Sequence, residues 1–227
     1  MKYYRVNKKN KKKLKRTKMR NRRLVKKYPW IMPRYVWTGK KLENYDYSFT
    51  EWELPTGWHK AFGQMYLEEL GAAVEEAGLK NEFTIYQIKD KYGRLEVYPS
   101  GASEKIYNII DKYEHISENV CIGCGKPNVP MINESWMSPW CYDCYRKNWR
   151  RSESYASKYK KIDPSSEDEI RLAYDKASSK DHQIATSYTI RVYSSKVANR
   201  DIVYDISDTV AKINERWNKR KKNGRMH

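Results

Sequence analysis

Residues 121–144 read CIGCGKPNVPMINESWMSPWCYDC, and this stretch decides how the rest of the chain is understood. Cys121, Cys124, Cys141 and Cys144 are the only cysteines present. They stand as two C-x2-C pairs separated by sixteen residues, a spacing expected of a structural metal site. Each pair turns two thiolates toward one cation, and two pairs complete a tetrahedron with Zn–S bonds of about 2.3 Å. Gly123 and Gly125 give the first knuckle room to turn. Zinc is the expected ion, and an iron–sulfur cluster is the alternative. Two disulfides would need an oxidising compartment that nothing else in the sequence indicates. Four thiolates leave no open position for water, so the site is expected to be structural and to contribute folding free energy. Trp136, Trp140 and Tyr142 are expected to cover it.

Outward from the cysteines, the pattern is α+β. Upstream, Phe62, Met65, Tyr66, Leu70, Ala73, Val74 and Ala77 recur at helical spacing from Trp58 to a stop at Gly78. Residues 83–89 and 94–98 predict a hairpin around the Asp90–Gly93 loop, and Ser103 caps a helix carrying Ile106, Ile109, Ile110 and Tyr113. Downstream, Ser166 and Glu169 form a capping box for a helix with Ile170, Ala173, Tyr174 and Ala177. Residues 184–193 alternate as a strand, 202–206 make a second strand, and Ser207 or Asp208 caps a helix bearing Val210, Ile213 and Trp217. Two helix–hairpin–helix (αββα) units are therefore expected, with the four-cysteine knuckle between them. The boundaries are 58–149 for the zinc-binding unit, 150–166 for a linker rich in Ser and charge, and 167–227 for the second unit with its basic tail. Residues 28–57, dense in Tyr, Trp and Pro, read as an aromatic strap laid on the body.

The charge is segregated. The 227 residues carry a net +18, but residues 1–42 hold 18 Lys/Arg and no acid, and residues 216–227 add six more. Residues 43–215 hold 22 basic against 28 acidic side chains, a net −6. Residues 1–27 predict a disordered basic arm, with too little apolar surface to bury and strong like-charge repulsion. The candidate nucleic-acid contacts are Lys8, Lys9, Lys11, Lys12, Lys13, Lys15, Arg16, Lys18, Arg20, Arg22 and Arg23, with Lys219, Arg220, Lys221 and Lys222 at the far end. No apolar run is long enough to span a membrane, and no secretory h-region is present, which predicts the cytoplasm of the cell that makes the protein.

Catalytic signals are missing. Only four histidines occur, none of them between 116 and 181, so an HNH-type nuclease site beside the cysteine pairs is excluded. No phosphate-binding loop, H-E-x-x-H or G-x-S-x-G motif is present, and the chain reads as a non-enzyme without a small-molecule substrate.

The strings YPWIMPRYVWTGK (28–40), NYDYSFTE (44–51), GWHKAFG (57–63), IKDKYGRLEVY (88–98), CIGCGKP (121–127) and WMSPWCYDC (136–144) together resemble a family of zinc-knuckle proteins of phages and prophages of Firmicutes, over residues 20–145. SYTIRVYSSKVANRDIVYDI (187–206) with the helix after it is similar to the strand–loop–strand–helix unit of certain type II anti-CRISPR proteins. The second resemblance implies a phage or mobile-element inhibitor that binds a CRISPR effector nuclease and its guide RNA in the bacterial host cytoplasm. The acidic body would enter a channel built for nucleic acid while the basic ends hold RNA. The alternatives are a general RNA- or DNA-binding zinc protein of phage replication, transcription or packaging, and a structural adaptor on a ribonucleoprotein.

Overall fold

In a computed structural model, residues 15, 19, 22–32, 34, 35, 38–41, 54–134, 136–178, 191–194, 201–204 and 206–224 are described, those of 191–204 by backbone alone. The chain is an α+β protein of helices and antiparallel hairpins. A helical turn at 22–27 (α1) leads through a 3-10 turn, Pro29–Ile31, into the strap. Thr56–Trp58, a π-helical stretch His59–Gly63 and Gln64–Glu76 run on as one rod, α2. Strands β1 (Thr84–Lys91) and β2 (Arg94–Ser100) pair antiparallel, and α3 (Glu104–Ser117) packs on them. Around the cysteines come the short pair β3 (Met131–Ile132) and β4 (Ser138–Pro139), then α4 (Tyr142–Ala156) and α5 (Glu167–Ala177). A last hairpin, β5 (Arg191–Ser194) with β6 (Asp201–Tyr204), precedes α6 (Ser207–Lys222).

The largest core lies between α2, the β1–β2 hairpin and α3. Trp58, Phe62, Tyr66, Leu70, Phe83, Leu95, Ile106 and Tyr113 are fully buried there. All the apolar positions expected of α3 are buried, because their three- and four-residue steps put them on one helical face. Strand β2 would otherwise leave an unpaired edge. Here α3 covers it: the Leu95 N–H donates to the Ser117 hydroxyl (2.8 Å) and the Val97 N–H to the Glu114 carboxylate (3.0 Å). Glu114 has no exposed surface and also takes the Arg94 guanidinium at 3.1 Å. Side chains of a helix thus do what a third strand would do for the backbone.

The strap expectation holds at its start. Tyr28, Trp30, Ile31 and Met32 are buried, with Trp30 5.3 Å from Phe83 between ring centroids. Tyr35 departs from it and is exposed, while Trp37, Tyr45, Tyr47, Phe49 and Trp52 lie outside the described residues. The end of the basic arm is corrected: 22–27 is helical, because Leu24 and Val25 find partners on the main core. The hairpin is longer than expected, closing on a two-residue turn at Tyr92 and Gly93 with φ of 52° and 78°.

Both expected caps on α3 and α5 are present. Ser103 accepts from the Ile106 N–H, and Ser166 with Glu169 forms the reciprocal box. At α6 the cap is different. Ser207 is the first helical residue, and the cap position falls on Ile206, whose side chain is buried in the main core instead of bonding the helix end.

Two further expectations change. Helix α4 runs to Ala156, so the first seven residues of the 150–166 linker are helical. Among the described residues, helices α5 and α6 share no core. Ile170 and Tyr174 of α5 pack with Tyr145 of α4, whereas Ile206 and Ile213 of α6 enter the core of the first unit. Of the expected strand 184–193, residues 184–190 lie outside the described residues. Among the described residues no helix is long and apolar enough to cross a membrane.

Substituting Glu114→Ala should cost about 3 kcal/mol in urea unfolding, since it leaves the Val97 amide without its acceptor and takes the nearer carboxylate from the Arg94 guanidinium. Glu118→Ala removes the more distant carboxylate beside Arg94, 3.6 Å away, while Glu114 still holds the guanidinium, and should cost about 1 kcal/mol.

Candidate metal centre and basic surfaces

The first knuckle is built by backbone hydrogen bonds. The Cys121 N–H donates to the Lys126 carbonyl and the Gly125 N–H to the Cys121 carbonyl, each at 2.8 Å, and Gly125 takes φ of 79°. The second knuckle is the start of α4, with Cys141 at the cap position and Cys144 in the first turn. The Ile122 N–H ties one to the other through the Pro139 carbonyl at 2.9 Å. The result brings all four sulfurs within 4.8 Å of one another. The Cys121–Cys141 and Cys124–Cys141 separations are 3.7 and 3.6 Å. A tetrahedron with metal–sulfur bonds of about 2.3 Å has edges of about 3.8 Å. The four thiols therefore fit a four-thiolate site, consistent with a structural metal such as zinc.

The electrostatics agree. Cys121 and Cys141 are buried, and the hydrogen bonds of Cys144 to Cys121, Cys124 and Cys141 push its thiol far above the usual range. Four thiolates in this space need a cation. The protein supplies partial positive charge: the Cys141 N–H points to the Cys121 sulfur at 3.4 Å, and the N-terminus of α4 opens onto the cluster.

Trp140 covers the cluster, as expected. Trp136 does not. It is 56% exposed and stacks on Tyr92 at the hairpin tip, with centroids 5.5 Å apart. Tyr142 is turned to α5, where its hydroxyl meets Glu167 and its ring lies against Tyr174. Helix α5 closes the other side, with the Tyr174 hydroxyl donating to the Trp140 carbonyl at 2.9 Å.

The centre is welded to the main core at Gly57. A Cβ there would lie 2.1 Å from the Cys121 carbonyl oxygen, and the Gly57 N–H donates to the Ile122 carbonyl at 2.9 Å. At the next residue, the Trp58 indole N–H donates to the Val120 carbonyl at 2.8 Å. The motif GWH (57–59) thus reads as the surface on which the knuckle sits.

The basic candidates divide. Lys8, Lys9, Lys11, Lys12, Lys13, Arg16, Lys18 and Arg20 lie outside the described residues. Lys15, Arg22 and Arg23 are helical and exposed. Lys221 and Lys222 are exposed at the end of α6, and Lys219 pairs with Glu215 at 2.6 Å. Arg220 departs from the surface role expected of it. Its guanidinium reaches inward to the Lys60 carbonyl in the π-helical stretch and to the Gly125 carbonyl at 3.4 Å. Burial lowers its pKa from the usual arginine range. A π turn interrupts the α ladder, and here one of its carbonyls accepts a charged donor from the last helix.

A second basic surface escaped the reading of the sequence. Residues 146–161 hold seven Lys/Arg and one acid, on the exposed part of α4 and just beyond it. The signal is present in the sequence but vanishes when charge is summed over the acidic body. Compared with protein-family models, curated proteins and solved structures, the chain matches none.

Arg220→Ala should lower stability by about 2 kcal/mol, with Arg220→Lys restoring only part of it, because the fork spans two carbonyls. Lys221→Ala should stay within about 0.5 kcal/mol. Thermal unfolding of the three variants reads the difference.

Proposed function

We propose that this chain is a non-catalytic, zinc-stabilised nucleic-acid-binding protein of a phage or mobile element. One observation carries the reading: both basic ends are anchored on one core, the first through Leu24 and Val25 and the last through Ile206 and Ile213. Charges fixed to one body act together on a polyanion and neutralise phosphates without reading sequence. The closed set of four thiolates supports zinc in a structural role, since it offers no site for a substrate or an activated water. One zinc per chain is expected. Cys124→Ser with Cys144→Ser should abolish zinc retention and lower the melting temperature, and a strong chelator should do the same to the unmodified protein. An unchanged melting curve in both would remove zinc from the account.

Deleting residues 1–21 removes eleven of the 46 Lys/Arg while sparing the helical turn at 22–27. The truncated protein should melt as the full chain does. Its affinity for nucleic acid at 0.15 M salt should fall at least about tenfold, with a shallower salt dependence. Equal affinity and slope would sink the arm as a contact.

A second reading, an inhibitor of a type II CRISPR effector nuclease, is favoured by the β5–β6 hairpin running into α6, the order implied by the resemblance at 187–206. Guide-loaded nuclease, target DNA and the protein, with excess unrelated RNA and duplex, separate the two. Inhibition that survives the decoys supports the inhibitor; inhibition abolished by them supports the general binder.

A further inference from the structure

Helix α4 carries a row of cations that make no ion pair among the described residues. Its inner face is set by Tyr145, buried, and Trp149, which packs against the α4–α5 cluster. Steps of four residues place Lys147, Arg151 and Tyr155 along the opposite side, Lys158 follows in the turn after the helix, and all four are exposed. Arg146 and Arg150 are already used. Arg146 reaches Glu167 at 3.4 Å, and Arg150 reaches Glu153 at 3.1 Å and Glu167 at 3.8 Å. Glu153, the only acid in 146–161, is committed to Arg150, Trp149 and the Ser165 N–H. Lys147, Arg151, Lys158, Lys160 and Lys161 make no ion pair among the described residues.

Like charges at i and i+4 repel on an isolated helix, and a solvated face commonly alternates sign. Here Asp143, exposed in the first turn, is the one acid on the face, and from Lys147 onward the face carries only cationic charge, although the body around it is acid-rich. At its end two tyrosines stand out. Tyr155 is 62% and Tyr159 76% exposed, with ring centroids 5.3 Å apart, and the Lys158 ammonium lies 5.9 Å from the Tyr155 ring. Cations in a row with exposed rings at one end match the chemistry of a single strand, whose phosphates need positive charge and whose unpaired bases need flat partners. A duplex hides the base faces that such rings would meet.

We infer that the outer face of α4 and the turn after it, Lys147, Arg151, Tyr155, Lys158 and Tyr159, bind single-stranded nucleic acid. The cations hold phosphates and the tyrosine pair stacks a base. This rests on the nucleic-acid reading above and assigns it a surface within the folded body, apart from the basic ends. None of these five side chains is buried, so removing them leaves the packing of α4 on α5 intact.

The test uses the full chain and fluorescein-labelled 20-nucleotide strands, oligouridine RNA and oligothymidine DNA, with a 20-base-pair duplex, by anisotropy from 0.05 to 0.2 M salt. Lys147→Gln with Arg151→Gln and Lys158→Gln should weaken single-strand binding and reduce the salt slope by about 2, since each single-strand phosphate contact contributes about 0.7. Tyr155→Ala with Tyr159→Ala should weaken it at least about fivefold without changing the slope, and Tyr155→Phe should retain the binding. Duplex affinity should be unmoved by the tyrosine changes. Which strand the unmodified chain binds more tightly tells RNA from DNA as the source, and loss of that binding in the helix variants supports the surface in either case. If the unmodified chain binds but the helix variants match it in affinity and slope, the surface is wrong and the basic ends suffice. If the unmodified chain binds no strand at 0.05 M salt, the nucleic-acid reading itself falls and this surface with it. Retained metal and an unchanged circular-dichroism spectrum in each variant exclude unfolding as the cause.

Discussion

Four sulfurs within 4.8 Å of one another are the constraint on which the centre of this protein depends. Ionised together without a cation they repel; held by one they draw two distant knuckles and everything attached to them into register. The first knuckle brings the Gly57–Trp58 turn and therefore α2, whose backbone approaches too closely to admit even a methyl group. The second is the first turn of α4, and with it come α5 and the aromatic cluster of Tyr142, Tyr145, Trp149 and Tyr174. A small site thereby joins two apolar clusters.

Polar groups finish what the apolar cores begin. Glu114 and Ser117 satisfy the edge of a two-stranded sheet, and Arg220 satisfies carbonyls at the π-helical stretch and the first knuckle. Each sits where a backbone group would otherwise be left without a partner, a position with a high cost of loss. Arg220 also explains how a helix from the end of the chain is held against its middle. Its neighbours Lys221 and Lys222 remain outside, so one basic run serves two purposes according to which face of the helix each residue occupies.

Charge is organised on a finer scale than its totals suggest. The basic ends and the acidic middle are evident from counting, yet the middle contains a helix whose outer face is basic from Lys147 onward. Its Glu153, with Glu167 of α5, serves Arg150, Arg146, Trp149 and the Ser165 backbone. This separation of used from unused cations on one helix gives the α4 surface its character.

The sequence by itself determined most of the elements and the four cysteines that come together. Periodicity exposes α2, α3 and α5, Ser103 and Ser166 mark helix starts, and the cysteine spacing specifies four ligands, because each of these is a local rule acting within a few residues. What it could not determine is who packs with whom. The αββα pattern occurs twice in the order of elements, but only the tertiary structure decided that α6 buries Ile206 and Ile213 in the first core while α5 leans on the cysteine centre. The same holds for Arg220, for Trp136 lying outside on Tyr92 instead of over the sulfurs, and for the unpaired face of α4. In each case the outcome depends on partners tens of residues away, and burial and pairing between distant segments leave no periodic trace in the chain.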